Sequence, residues 1–132
     1  MSERYARGLA VLDRLDREQG ARILAALDEV APDFAELLVE FAFGDICARP
    51  GLDLKTRELA TVAALTALGT APAQLRVHIH AALNVGCSKT EVTEAIIQMA
   101  VYAGFPAALN GLAAAKEVFG ARGAANLIGE RP

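Results

Sequence analysis

The chain has 132 residues, a formal net charge of −3 and 54% apolar residues, with five Phe and no Trp. This length predicts a single domain over residues 1–132. The lack of a basic run argues against nucleic-acid binding, because such binding needs a clustered positive face. No apolar run reaches transmembrane length, so a membrane partner is not expected.

The mean hydropathy of +0.32 is high for a small monomer that packs mainly through Ala and Leu. We interpret the excess as surface buried between identical subunits, because large apolar patches usually mark interfaces. An ordinary Ala-rich monomer is the alternative. No signal peptide is recognised at the start of the sequence, and the two cysteines lack C-x-x-C spacing. Both observations predict a reducing, cytoplasmic location.

Signals for helix ends divide the first part of the chain. Ser2 is a predicted N-cap, and the charged segment 13–19 is predicted to be a solvated bend between two helices. Pro32 suits the first turn of a third helix. The turn at 49–51 ends that helix, because Pro50 disfavours helical structure in the residue before it.

The signals for helix ends are clearer in the second part of the chain. Asp53 is a predicted N-cap, and Gly69 and Gly86 are predicted helix stops. The sequence Ser88-Lys-Thr-Glu91 is a capping box. The tail, residues 120–132, is predicted to be either frayed or ordered only by a partner subunit.

No segment alternates apolar and polar residues with the period of a strand, whereas helical periodicity recurs along the chain. We therefore predict an all-α fold. The predicted helices lie at about residues 3–12, 20–29, 32–47, 54–68, 72–85, 89–103 and 106–119.

Glu58 is the first candidate for chemistry. At 100° per residue it lies within about 40° of Val62 and Leu65 on a predicted helix. A carboxylate in such an apolar stripe is a candidate proton donor or acceptor, because desolvation favours its protonated form. The alternative is that Glu58 reaches water and stabilises the early turns of its helix through the helix dipole.

His78 lies on the next predicted helix, at the border of an apolar stripe, and Gln74 lies on the same face. Imidazole titrates near neutral pH, so His78 is a candidate catalytic residue. His80 is about 200° away around the helix, whereas two histidines that clamp one metal ion need i, i+4 spacing. We therefore predict no metal site. The alternative for each histidine is a purely structural role.

Gln74 and His80 are candidate substrate-binding residues, and so are four further side chains. Arg49 and Arg57 bracket the Pro-Gly turn, where they could bind an anion; the alternative is that both are simply solvated. Gln98 and Tyr102 lie one helical turn apart, and Tyr102 precedes a Gly-Phe-Pro break. Its hydroxyl is predicted to face a cleft. The alternative is a tyrosine at the edge of the apolar face whose hydroxyl is in water.

The two cysteines are far apart in the sequence, so neither has the partner that a C-x-x-C redox centre requires. Cys47, near the end of the third predicted helix, is interpreted as a small packing residue. Cys87 is interpreted as a small loop residue before the capping Ser88. The alternative is a thiol whose pKa is lowered by the N-terminus of the following helix.

Together these residues resemble the carboxymuconolactone decarboxylase-like proteins, relatives of the AhpD-type alkylhydroperoxidases. The resemblance covers residues 3–119. The matching segments are 3–8, 49–53, 56–59, 78, 81–86, 91–94 and 102–108.

The resemblance implies an AhpD-like all-helical subunit in a ring-like homo-oligomer, often a trimer or hexamer, with sites near subunit boundaries. For the decarboxylases it implies cofactor-free loss of carbon dioxide from a carboxylated muconolactone in protocatechuate (β-ketoadipate) breakdown. In the peroxidase branch a C-x-x-C precedes the histidine. The corresponding positions here are Ala71 and Gln74, so that disulfide relay is chemically impossible in this chain.

The first hypothesis is therefore a cofactor-independent lyase that acts on a small anionic lactone or keto-acid. His78 is the predicted acid or oxyanion donor, and Glu58 orients it or stores a proton. Arg49 or Arg57 would hold a second carboxylate, and Tyr102 would hydrogen-bond the lactone. Two alternatives remain, a thiol-dependent antioxidant enzyme that uses a cysteine and a non-catalytic oligomer that binds small molecules or a protein partner.

Overall fold

A computed structural model describes the backbone of residues 1–127 and the side chains of residues 1–124. Within this part of the chain there are six α-helices and one π-helix and no strand, which confirms the predicted all-α fold. The elements are α1 (Glu3–Asp28), α2 (Pro32–Leu37), a π-helix (Leu38–Cys47), α3 (Leu54–Leu68), α4 (Pro72–Asn84), α5 (Lys89–Ala103) and α6 (Phe105–Leu127).

The chain forms two compact units, an amino-terminal unit of residues 1–57 and a carboxyl-terminal unit that starts at Glu58. The boundary lies within the first turns of α3. The single domain inferred from chain length stays a prediction. None of the helices between residues 3 and 127 is both long enough and apolar enough to cross a membrane.

In the amino-terminal unit, α1 begins as predicted, because the backbone N–H of Tyr5 donates to Ser2 Oγ over 3.0 Å. The predicted bend at 13–19 is limited to Asp16, whose φ of −169° and ψ of 94° kink a helix that otherwise continues. The carboxylate of Asp16 accepts from Gln19 N over 3.1 Å and so caps the second half of α1.

The prediction of one regular helix over residues 32–47 is wrong, because the α-helical part ends at Leu37 and a π-helix follows to Cys47. A π-helix has i→i+5 hydrogen bonds and therefore more residues in each turn than an α-helix. The segment Leu38–Cys47 is apolar at most of its positions, so it has no narrow apolar stripe from which the helical period could be determined.

The amino-terminal unit holds α1 against the π-helix through glycines and an ion pair. A Cβ on Gly8 would lie 2.1 Å from the carbonyl oxygen of Val39, and one on Gly44 would lie 2.3 Å from that of Arg4. Arg4 Nη2 lies 2.7 Å from Asp45 Oδ2. The hydrogen bond from Arg4 lowers the pKa of the Asp45 carboxyl below its usual range.

In the carboxyl-terminal unit, three helix breaks use glycines with positive φ, namely Gly69, Gly86 and Gly104. They match the predicted helix ends, because glycine adopts this conformation without steric cost. The helices enclose one apolar core of buried residues. Its members are Val62, Leu75, Ile79, Ala82, Cys87, Val92, Ile96, Ala114, Ala115 and Val118.

The predicted end of the last helix near Phe119 is wrong, because α6 continues to Leu127. Gly120 and Gly123 lie inside it, and a glycine lowers the stability of a helix by about 1 kcal/mol without ending it. The first part of the predicted tail is therefore helical. Residues 128–132 of that tail lie outside the described residues.

The predicted capping box is present at the start of α5. Glu91 N donates to Ser88 Oγ over 2.9 Å, and Ser88 N donates to the Glu91 carboxylate over 2.8 Å. Ser88→Ala is therefore expected to lower the free energy of unfolding by about 1 kcal/mol. In thermal denaturation, this corresponds to a Tm lower by about 4 °C.

Thr90→Ala is the matched control for this substitution, because Thr90 is exposed in the same first turn and does not cap the helix. We expect its effect to stay within about 0.5 kcal/mol. Equal losses of stability in the two variants would show that the cap contributes nothing specific.

Candidate active site

The structure brings Glu58 and His78 together within the carboxyl-terminal unit. His78 Nδ1 lies 2.7 Å from Glu58 Oε1. Glu58 is on the early part of α3 and only 2% exposed, whereas the side chain of His78, on α4, is 23% exposed. The two residues are twenty positions apart in the sequence, so the packing of consecutive helices creates the pair.

Helical periodicity explains why the two side chains differ in exposure. One turn after Glu58, Val62 is fully buried, so the carboxylate belongs to the inward face of α3. On α4, Leu75 and Ile79 point into the core, and His78 lies at the edge of that stripe. The pair therefore has one buried member and one that reaches the surface.

The hydrogen bond fixes which nitrogen of the histidine can react. With the Glu58 carboxylate ionised, His78 Nδ1 carries the shared proton and the ring is held in one orientation. Among the described residues, no group hydrogen-bonds to Nε2 of His78. Nε2 is thus available to accept a proton from a ligand or, in the imidazolium form, to donate one.

His80 points away from this pair. Arg122 Nη1, on α6, lies 3.5 Å from His80 Nδ1 and donates to Asn84 Oδ1 over 3.1 Å. The structure therefore does not bring the two histidines together, as expected from their separation around α4. Sequence reasoning missed Arg122, because no local spacing reports a contact between residues on α4 and α6. A role for His80 in substrate binding stays a prediction.

Three other candidates in this unit are exposed. Gln74 lies one turn before His78 on α4, and Gln98 and Tyr102 lie on α5. Tyr102 is 78% exposed. Within the described residues, no hydrogen bond connects any of the three to Glu58 or His78. Their roles in substrate binding stay predictions.

Arg49 and Arg57 belong to the amino-terminal unit, where Arg57 has a structural role that the sequence analysis missed. Its guanidinium donates to the carbonyl oxygens of Leu52 and Arg49, each over 3.1 Å, and so holds the turn before α3. Arg49 is exposed. Anion binding by either arginine stays a prediction.

Neither cysteine forms a disulfide bond within the described part of the chain. Cys47 is half-buried at the end of the π-helix, and Cys87 is buried in the apolar core of the carboxyl-terminal unit. Cys87 lies between α4 and α5, in the loop where the sequence predicts it. Burial among apolar side chains disfavours a reactive thiolate at Cys87.

Comparison with known proteins identifies relatives along most of the chain. The sequence model of the carboxymuconolactone decarboxylase family matches residues 32–117. The chain is 39% identical over 118 residues to the 4-carboxymuconolactone decarboxylase of Acinetobacter baylyi, across 89% of this chain and 87% of that protein. It is 37% identical over 97 residues to an uncharacterised 15.0 kDa protein of Paracoccus denitrificans, across 73% and 72% of the two chains.

A fungal relative has a shorter match. The nitrosuccinic acid decarboxylase of Metarhizium robertsii is 36% identical over 77 residues, across 58% of this chain and 53% of that protein. The family match and the strandless fold of the described residues place the protein in the AhpD-like all-helical class, here with a buried carboxylate hydrogen-bonded to a histidine on the next helix. Within that class, the chain belongs to the carboxymuconolactone decarboxylase family, which confirms the predicted resemblance.

Proposed function

We propose that the protein is a cofactor-independent decarboxylase of a small anionic lactone related to 4-carboxymuconolactone, acting in the breakdown of aromatic compounds. Carboxy-lyase is the class of activity that the family and its two named decarboxylases support. The lactone substrate and the protocatechuate pathway are the finer part of the proposal. The observation that carries it is the 2.7 Å contact between His78 Nδ1 and the buried Glu58 carboxylate.

Decarboxylation without a cofactor makes two chemical demands. When the bond to the departing carboxylate breaks, its electron pair stays on the substrate and moves toward the lactone carbonyl, giving an enolate. That charge needs a hydrogen-bond donor. A proton must then reach carbon as the enolate collapses, so that the products are carbon dioxide and the enol-lactone.

His78 and Glu58 suit these two demands. The free Nε2 of His78 would donate to the developing enolate and then deliver the proton to carbon. Glu58 would act as a positioning residue, because its carboxylate holds the ring and balances the charge of the imidazolium. A carboxylate only 2% exposed keeps that interaction away from water, which strengthens it.

Binding of the anionic substrate belongs to the same proposal. Arg49 or Arg57 would hold a second carboxylate, and Tyr102 would hydrogen-bond the lactone carbonyl. Gln74, His80 and Gln98 are the remaining predicted substrate contacts.

We further propose a cytoplasmic homo-oligomer, a trimer or hexamer. Exposed apolar side chains around the junction of α5 and α6 support self-association, because such surface is usually covered in a stable protein. Val101 is 77% exposed, Phe105 73% and Leu109 60%.

The proposal is tested by incubating the purified protein with 4-carboxymuconolactone and measuring carbon dioxide release. We expect enzyme-dependent release at a neutral pH with no added metal or cofactor. In D₂O, the product should gain one deuterium at the carbon that receives the proton. If neither this lactone nor other carboxylated lactones and keto-acids lose carbon dioxide faster than in buffer, the proposed activity is wrong.

A further inference from the structure

A cavity of about 310 Å³ lies in the carboxyl-terminal unit, where α3 ends and α4 begins. Its walls come from the end of α3, the start of α4 and one face of α6. Most of the lining side chains are small or apolar, with Leu65 and Leu75 among them. Neither Glu58 nor His78 lines it. Leu65 is seven residues, about 10 Å, along α3 from Glu58, whereas Leu75 and Arg76 on α4 lie within one turn of His78.

Polar groups are few and lie at defined places in this cavity. Arg76 and Glu117 form a loose ion pair across it, with 3.8 Å between Arg76 Nη1 and Glu117 Oε2. Thr66 is 1% exposed, and its hydroxyl donates to Val62 O over 2.8 Å, so the oxygen can still accept a hydrogen bond. Asn110 adds an exposed side-chain amide.

Arg76 is the group that would make the cavity selective for an anionic ligand. A guanidinium has five N–H donors, and a contact of 3.8 Å to one carboxylate oxygen leaves donors for a better-placed partner. The side chain of Glu117 is 66% exposed and is therefore free to turn toward water. Ala71 and Pro72 place the start of α4 in the same wall, and the positive end of the helix dipole also favours an anion.

We propose that this cavity is a second binding site, separate from the Glu58–His78 pair, for a small molecule with an apolar body and one carboxylate. The apolar body would contact the Ala and Leu side chains, and the carboxylate would displace Glu117 from Arg76. A mostly apolar concave surface with a few polar groups is the usual form of a small-molecule site. The proposal does not depend on decarboxylation.

Benzoate is a suitable probe, and benzamide is its neutral counterpart. In a titration followed by ¹H–¹⁵N NMR of the full-length protein, benzoate should shift the backbone amides of Gly69 and Gly111, and benzamide should bind more weakly. Arg76→Gln should raise the Kd for benzoate about tenfold, because a charge-assisted hydrogen bond is lost. Glu117→Gln should lower that Kd a few-fold, because the competing carboxylate is gone.

Lys116→Gln is the matched control, since Lys116 is an exposed cation of α6 that does not line the cavity. It should leave the Kd for benzoate unchanged, and His78→Ala should do the same. Equal effects of Lys116→Gln and Arg76→Gln would overturn the proposal, as would equal binding of benzoate and benzamide. Loss of benzoate binding in His78→Ala would instead place the ligand at the catalytic pair and refute a separate site.

Discussion

His78→Ala is expected to lower the rate of decarboxylation by about a hundredfold to ten-thousandfold, the usual contribution of a positioned general acid. Within the described part of the chain, the His78 imidazole is the only ring that hydrogen-bonds to the buried Glu58 carboxylate, and the substitution removes it. No other titratable donor would then be held at that place. Steady-state carbon dioxide release, measured under saturating substrate, checks the prediction.

The fold should survive this change. The His78 side chain is 23% exposed and lies outside the apolar core, so far-UV circular dichroism is expected to show a folded chain. The buried Glu58 carboxylate loses its hydrogen-bond partner, so the Tm is expected to fall, and activity is compared below the Tm of the variant. Glu94→Gln, which removes one negative charge from an exposed glutamate of α5 and keeps the size of the side chain, is a control for a change at the surface of the same unit. Unchanged turnover in His78→Ala would remove His78 from the mechanism.

Gly8→Ala is expected to destabilise the protein by about 3 kcal/mol, at the upper end of the usual range for overpacking. The added Cβ would lie 2.1 Å from the carbonyl oxygen of Val39 and 2.8 Å from its Cγ1. A backbone oxygen cannot rotate away as a side chain can, so α1 and the π-helix would have to separate. Thermal denaturation should show a Tm lower by about 10 °C.

Gly20→Ala is the matched control in the same helix. There the nearest atom to the new Cβ is Leu12 Cδ2 at 3.6 Å, an ordinary contact. Alanine also favours helix over glycine by up to about 1 kcal/mol. A Tm equal to or above that of the wild type is therefore expected for Gly20→Ala. If the two alanine variants unfold at the same temperature, a Cβ at position 8 does not destabilise the contact between α1 and the π-helix, and the prediction is wrong.

Sequence signals placed most helix ends because those ends depend on local chemistry. The capping box at Ser88 and the positive-φ glycines at Gly69, Gly86 and Gly104 act within a few residues, so the sequence alone reports them. The end of α6 was predicted too early because a glycine is only a weak local signal.

The candidate site also combines properties that the sequence predicts with contacts that only the folded structure shows. Periodicity predicts that Glu58 faces inward and that His78 lies at the edge of a stripe, because both properties belong to one helix. Their hydrogen bond depends on how α3 and α4 pack, which one sequence does not contain. The same is true of the contact between His80 and Arg122, residues 42 positions apart. The hydrogen bonds from Arg57 to backbone carbonyls likewise exist only in the folded turn, so sequence periodicity does not report them.

The central claim is that Glu58 and His78 act as one unit, and a double-mutant cycle tests it most directly. Rates of carbon dioxide release would be compared for the wild type, Glu58→Gln, His78→Gln and the double variant, after circular dichroism has shown that each is folded. Each single substitution is expected to cause a large loss, and the double variant should be no slower than the slower single variant, because residues that act together are not additive. Losses that multiply in the double variant, or full activity in Glu58→Gln, would contradict the claim.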